Sequence, residues 1–71
     1  MKLTINGHDR EFASPLTVSQ LLTELQMKSD RVALEVNREI VPKSQWESTS
    51  LAEGDRLEIV HFVGGGSPEL P

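Results

Sequence analysis

The chain lacks cysteine altogether and has only two histidines, His8 and His61, which lie far apart in sequence. The absence of cysteine excludes disulfide bonds, thiolate metal sites and a cysteine nucleophile, and it fits a reducing compartment. The two histidines offer no pair at metal-ligand spacing, so we expect neither a bound metal nor a bound cofactor. Because no convincing set of catalytic side chains is present, the sequence predicts a protein that is not itself an enzyme.

Runs of like charge and long apolar segments are also missing. Seven basic side chains are scattered among eleven acidic ones, which gives a net charge of −4. This balance argues against binding to nucleic acid or to an anionic membrane surface. No apolar stretch approaches the roughly 20 residues that span a bilayer, and no signal-peptide pattern opens the chain. We therefore expect a soluble, cytoplasmic protein.

The length of 71 residues limits the chain to one domain. A chain of this size buries only about 60% of its unfolded surface, so we expect one small core of marginal stability. We place the folded domain at residues 1–63 and a flexible tail at residues 64–71.

One helix has an unusually complete start signal. Thr17 as the N-cap and Gln20 three residues later form a capping box. Apolar side chains then recur with the i, i+3, i+4, i+7 spacing of one buried helix face. They are Val18, Leu21, Leu22 and Leu25. The pattern predicts a helix over residues 18–27.

Alternating apolar and polar residues predict the strands. Asn6-Gly7 indicates a hairpin turn between a strand at residues 2–6 and a return strand at 10–12. Further strands are expected at 32–36, at 40–41 where Pro42 must end the strand, and at 56–63. In the last strand Leu57 and Ile59 share one face, with His61 next in that register, and Val60 and Phe62 lie on the other.

This order of elements predicts an α+β fold. Four or five strands and one main helix suit a mixed sheet with the helix across one face, a β-grasp (ubiquitin-like) roll. The opposite face of such a sheet has no helix to cover it. Val60 and Phe62, with Val63 and Gly64 beyond them, are therefore candidates for binding a partner.

The last strand leads directly into three glycines, Gly64, Gly65 and Gly66. Glycine buries no side chain and costs the most backbone entropy to order, so these residues do not serve the core. A backbone without Cβ atoms can, however, enter a narrow slot in another protein. The sequence thus favours a terminal carboxyl group that is presented to an enzyme, although residues 67–71 follow the glycines.

With these features, the chain resembles the ThiS family, the sulfur carrier proteins of thiamine biosynthesis. The resemblance covers residues 1–66. It is carried by Asn37-x-x-Ile40-Val41-Pro42-x-x-x-Trp46, by Gly54-Asp55, and by the ending Ile59-Val60-His61-Phe62-Val63-Gly64-Gly65-Gly66.

The resemblance implies a reaction cycle at Gly66, with Gly65 beside it, after processing has removed residues 67–71. An E1-like enzyme would use ATP to adenylate the Gly66 carboxylate, and a sulfur donor would displace AMP to leave a thiocarboxylate. A thiazole synthase would then take the sulfur for the thiazole ring of thiamine. The carrier itself would act only as a co-substrate of these enzymes.

Other functions remain open on the residues alone. A ubiquitin-like protein modifier would use the same tail for an isopeptide bond, and the small subunit of molybdopterin synthase is a related carrier. A non-catalytic interaction domain would leave the tail unchanged. The mass of the isolated protein separates these classes, because a thiocarboxylate, a protein adduct and an inert tail differ in mass.

Overall fold

The computed structural model describes residues 1–63 and 67–69. The strands are β1 (Lys2–Ile5), β2 (His8–Glu11), β3 (Val32–Val36), β4 (Glu39–Ile40), β5 (Arg56–Val63) and β6 (Ser67–Glu69). The helix is α1 (Val18–Glu24), and two 3-10 turns span Ser29–Arg31 and Lys43–Gln45. Helix α1 has 7 residues, and neither it nor any other helix among the described residues could span a bilayer.

The strands form one mixed sheet in the order β2-β1-β5-β3-β4, and β6 pairs with β5. β1 and β5 run parallel, whereas the other neighbouring pairs are antiparallel. One helix packs on this sheet, which confirms the predicted α+β class and the β-grasp fold. Strand β4 covers residues 39–40 instead of the predicted 40–41. The sequence pattern predicts no strand at all in the segment that forms β6.

The β1–β2 hairpin turns at Asn6 and Gly7, whose φ angles are 50° and 82°. Both residues tolerate positive φ, so the predicted turn is confirmed. The Asn6 side chain also extends the sheet. Its amide nitrogen donates to the Ile59 carbonyl at 3.2 Å, and its amide oxygen accepts from the Ile59 N–H at 2.8 Å. The turn therefore fixes β1 against the middle of β5.

Helix α1 begins at the predicted capping box. The Thr17 hydroxyl accepts from the Gln20 N–H at 3.2 Å, and the Gln20 side chain accepts from the Thr17 N–H at 2.9 Å. Two of the N–H groups at the start of the helix thereby gain partners without water.

The helix ends at Glu24, three residues earlier than predicted. Gln26 takes a φ of 59°, which is a left-handed conformation that a helix cannot continue through. The Gln26 N–H then donates to the Thr23 carbonyl at 3.0 Å, and the Met27 N–H donates to the Leu22 carbonyl at 2.9 Å. These two bonds form a Schellman motif, which usually contains glycine. Gln26 in place of glycine explains why the sequence pattern extends the helix too far.

The core lies between α1 and one face of the sheet. Leu21 and Leu22 of α1 are almost fully buried in one cluster with Leu57 and Ile59 of β5. Trp46 is also buried, and its indole N–H donates to the Val41 carbonyl at 2.9 Å. The tryptophan is thus part of the core packing. The buried side chains are Leu3, Ile5, Val18, Leu21, Leu22, Val32, Leu34, Trp46, Leu51, Leu57 and Ile59.

Candidate functional site

The face of the sheet opposite α1 is open and carries a shallow apolar groove of about 370 Å³. Val60 and Phe62 of β5 are half-buried in it, as their predicted register requires. Ile40 of β4 is 75% exposed and is the one large hydrophobic residue so exposed in the described chain. The apolar groove is lined by Ala33, Leu34, Glu35, Ile40, Glu58, Val60 and Phe62.

Two carboxylates divide this apolar groove from a polar one. Glu35 of β3 and Glu58 of β5 are direct cross-strand partners, and both side chains line both grooves. The polar groove has a volume of about 610 Å³ and is completed by Asn37, Arg38 and Arg56. The open face therefore changes from apolar near Phe62 to charged at the β3–β4 turn.

Asn37 in the polar groove is occupied by structural hydrogen bonds. Its amide nitrogen donates to the Asp55 carboxylate at 3.0 Å, and its amide oxygen accepts from the Arg56 N–H at 3.0 Å. Asn37 also has a φ of 52°, as the tight turn between β3 and β4 requires. These bonds tie the turn to the start of β5 and occupy both the nitrogen and the oxygen of the Asn37 amide.

The far end of β5 pairs with the residues that follow the glycines. His61 is opposite Val32 of β3 on one side and Glu69 of β6 on the other, so β6 lies on the same side of β5 as β1. The Leu57 and Ile59 backbone groups point to the β1 side, where they bond Asn6. By strand alternation, the backbone groups of residues 61 and 63 face β6.

The register of β6 suits its proline. Pro68 is opposite Phe62, whose backbone groups point away from β6, while Ser67 and Glu69 are opposite Val63 and His61. Proline has no N–H to donate, so this is the position in the strand where its absence costs no hydrogen bond.

The predicted site residues fall into three groups. Val60 and Phe62 lie on the open face, and Val63 is the last residue of β5. Gly64, Gly65 and Gly66 lie outside the described residues. Sequence reasoning missed Ile40, Glu35 and Glu58 as members of this face. Alternation within β3 and β5 signals the outward direction of both glutamates, whereas the place of Ile40 depends on the β3–β4 register.

Residues 1–63 and 67–69 contain no cluster of side chains that could bind a metal ion. His61 is an exposed side chain that shares the face of β5 with Leu57 and Ile59 by strand alternation. The described residues bring the apolar groove together with β5, the strand that precedes the glycines in the sequence.

Comparison with known proteins agrees with this geometry. A model of the ThiS family matches residues 3–66, and so ends at the third glycine. The chain is 38% identical to the sulfur carrier protein ThiS of Bacillus subtilis (strain 168) over 65 residues, which is 90% of this chain and 98% of that protein. It superimposes on the crystal structure of the thiamine biosynthesis protein ThiS from Geobacter metallireducens with a TM-score of 0.81 and 32% identity, covering 93% of this chain and 100% of that one.

A longer relative is more similar in sequence. The chain is 52% identical over 69 residues to a thiazole synthase of Paramagnetospirillum magneticum (strain ATCC 700264 / AMB-1), which is 97% of this chain. It spans only 21% of that protein's length. Because 69 of the 71 residues are aligned, the match extends past Gly66 into β6.

Proposed function

Because this chain belongs to the ThiS family, we propose that it is a sulfur carrier protein whose Gly66 carboxyl group carries sulfur for thiazole formation in thiamine biosynthesis. The observation that supports this most directly is the family match over residues 3–66, which stops at the third glycine. The partners proposed are an E1-like adenylating enzyme, a sulfur donor and a thiazole synthase. The similarity to a thiazole synthase over nearly the whole chain supports the last of these.

The chemistry takes place at one carboxyl group. Hydrolysis of the Gly66–Ser67 peptide bond first removes residues 67–71 and frees the Gly66 carboxylate. That carboxylate attacks the α-phosphorus of ATP and releases pyrophosphate, which leaves an acyl adenylate with AMP as a good leaving group. A persulfide sulfur of the donor displaces AMP and forms an acyl disulfide. A thiol then reduces the S–S bond and leaves the Gly66 thiocarboxylate. The partners supply ATP, sulfur and reductant, and the carrier supplies an end that fits their sites.

The domain contributes docking and reach. The apolar groove beside Val60 and Phe62 has the composition of a partner site, and β5 carries the chain from it toward Gly64. Docking on this face places the three glycines at the partner's active site. A chain of extended residues gains about 3.3 Å for each residue, so in a carrier that ends at Gly66 three extended glycines would span roughly 10 Å.

Intact mass spectrometry tests the proposal. The carrier ending at Gly66 is incubated with the adenylating enzyme, ATP, a persulfide donor and a thiol. We expect the mass gain that accompanies replacement of one oxygen by sulfur, and only when ATP is present. A larger covalent protein adduct would instead support the modifier function, and an unchanged mass would contradict both.

Phe62→Asp is expected to weaken binding of the adenylating enzyme by tenfold or more, which corresponds to about 1.4 kcal/mol. The carboxylate would be buried in the apolar groove without a partner in the complex. The fold should persist, because Phe62 lies on the open face and outside the buried core. Isothermal titration calorimetry gives the affinity, and thermal unfolding gives the stability.

His61→Asp is the matched control for that variant. It introduces the same carboxylate at the neighbouring residue, but on the other face of β5, where the side chain is already exposed. It should bind the enzyme much like the parent. Equal losses in both variants, or unfolding of Phe62→Asp, would contradict a docking role for the apolar groove.

A further inference from the structure

The cross-strand pair of Glu35 and Glu58 is an unfavourable arrangement within the domain. The two residues are directly opposite in the β3–β5 ladder, and both side chains lie on the open face. Like charges at directly opposed positions destabilise a sheet. A sheet that served only stability would gain from placing a neutral or basic residue at either position.

Neutralisation of this pair by the domain itself is incomplete. Among the described residues, the ion pairs within 4.0 Å join Lys2 to Asp9 and the Met1 amino group to Glu11. Arg38 and Arg56 line the polar groove, but neither brings a nitrogen within that distance of the two carboxylates.

The apolar groove offers the two carboxylates no internal cation. On that side their neighbours are Ala33, Ile40, Val60 and Phe62. A protein that covers this groove excludes water from it, and a charge pair in such a place is worth more than one in water. A cation brought by the partner would therefore find two acceptors and a low local dielectric.

We propose that Glu35 and Glu58 together bind one arginine side chain of the protein that docks on the apolar groove. A guanidinium group has five donors in a planar fork and can bond both carboxylates at once. The partner surface is thus a basic residue flanked by apolar side chains. The proposal rests on the proposed function for the identity of this partner, the adenylating enzyme.

Neutralising either glutamate is expected to raise the stability of the domain and to weaken its binding to the partner. Glu35→Gln and Glu58→Gln each remove the repulsion, so each raises the urea midpoint of unfolding. Each also removes a charged acceptor for the arginine, so each weakens binding to the adenylating enzyme about tenfold. The double variant adds little further stability, because one substitution already ends the repulsion. A residue with only a structural role would not separate these two measurements.

Glu47→Gln is the matched control. Glu47 is exposed and lines neither groove, and its replacement changes the net charge of the carrier by the same amount. Calorimetry at low and high salt compares the variants with the parent. We expect Glu47→Gln to bind as the parent does, and the salt dependence to fall in the two groove variants.

Two results would overturn the proposal alone while leaving the function standing. One is a parent that binds the enzyme with affinity unchanged by Glu35→Gln and Glu58→Gln. The other is an affinity loss in Glu47→Gln as large as theirs, since that would reflect only net charge. A parent that does not bind the enzyme would instead contradict the proposed function, and with it the partner invoked here.

Discussion

Leu21→Ala is expected to lower the free energy of unfolding by about 2–5 kcal/mol, the usual cost of truncating a buried leucine. Leu21 is fully buried on α1, and Leu22 beside it is 2% exposed. Both pack in the single core, with no second helix among the described residues to compensate. Because a domain of this size has only a few kcal/mol of stability, either variant should be largely unfolded at physiological temperature.

Urea unfolding followed by circular dichroism measures this loss. Glu24→Ala is the control, because it shortens an exposed side chain of the same helix and creates no cavity. It should change the urea midpoint little. Midpoints of Leu21→Ala and Leu22→Ala equal to that of the parent would show that α1 does not form the core.

The start of α1 could be predicted from the sequence, but its end could not. The Thr17 and Gln20 capping box is a local signal, because both partners lie within one turn. The end depends on a left-handed Gln26, a conformation that a residue with a Cβ adopts only when its surroundings favour it. Leu25 keeps the apolar spacing although it is already the C-cap. Periodicity alone therefore extends the helix past its hydrogen-bonded end.

The open face of the sheet was likewise only partly predictable from the sequence. Alternation along β5 places Val60 and Phe62 on the face away from Leu57, and this local inference is confirmed. The opposition of Glu35 and Glu58 is a matter of register between two strands distant in sequence. Such a register is fixed by the whole sheet and cannot be obtained from either strand by itself.

Strand β6 is the largest difference between sequence and structure. Ser67-Pro68 is a poor strand signal, because proline cannot donate to a ladder. The structure places Pro68 opposite Phe62, where no backbone donor is required. The proline is therefore compatible with the strand, although the sequence does not indicate one. The compatibility of this register depends on which way the backbone groups of β5 point. The hydrogen bonds between Asn6 and Ile59 show that direction.

The last prediction follows from β6. A carrier that ends at Gly66 is expected to release pyrophosphate with the adenylating enzyme and ATP at least about a hundredfold faster than the chain of residues 1–71. In the longer chain the Gly66 carbonyl belongs to the peptide bond with Ser67 and is not a carboxylate. In addition, the pairing of Ser67–Glu69 with β5 holds the segment after the glycines back along the domain.

Two variants of the truncated carrier separate the chemical requirement from the steric one. Gly65→Ala should lower the rate of pyrophosphate release, and Gly65→Val should lower it more, because a β-branched side chain adds bulk and stiffness where a narrow site accepts only backbone. Circular dichroism should show both variants folded, since the core of the described residues is built from side chains between positions 3 and 59. Equal rates for the truncated and longer chains would refute the need to remove residues 67–71. Equal rates for the glycine and valine carriers would refute the narrow slot, and the glycines would then need another explanation.

If both expectations hold, cleavage after Gly66 does two things at once: it creates the carboxylate and frees the edge of β5 that β6 covers.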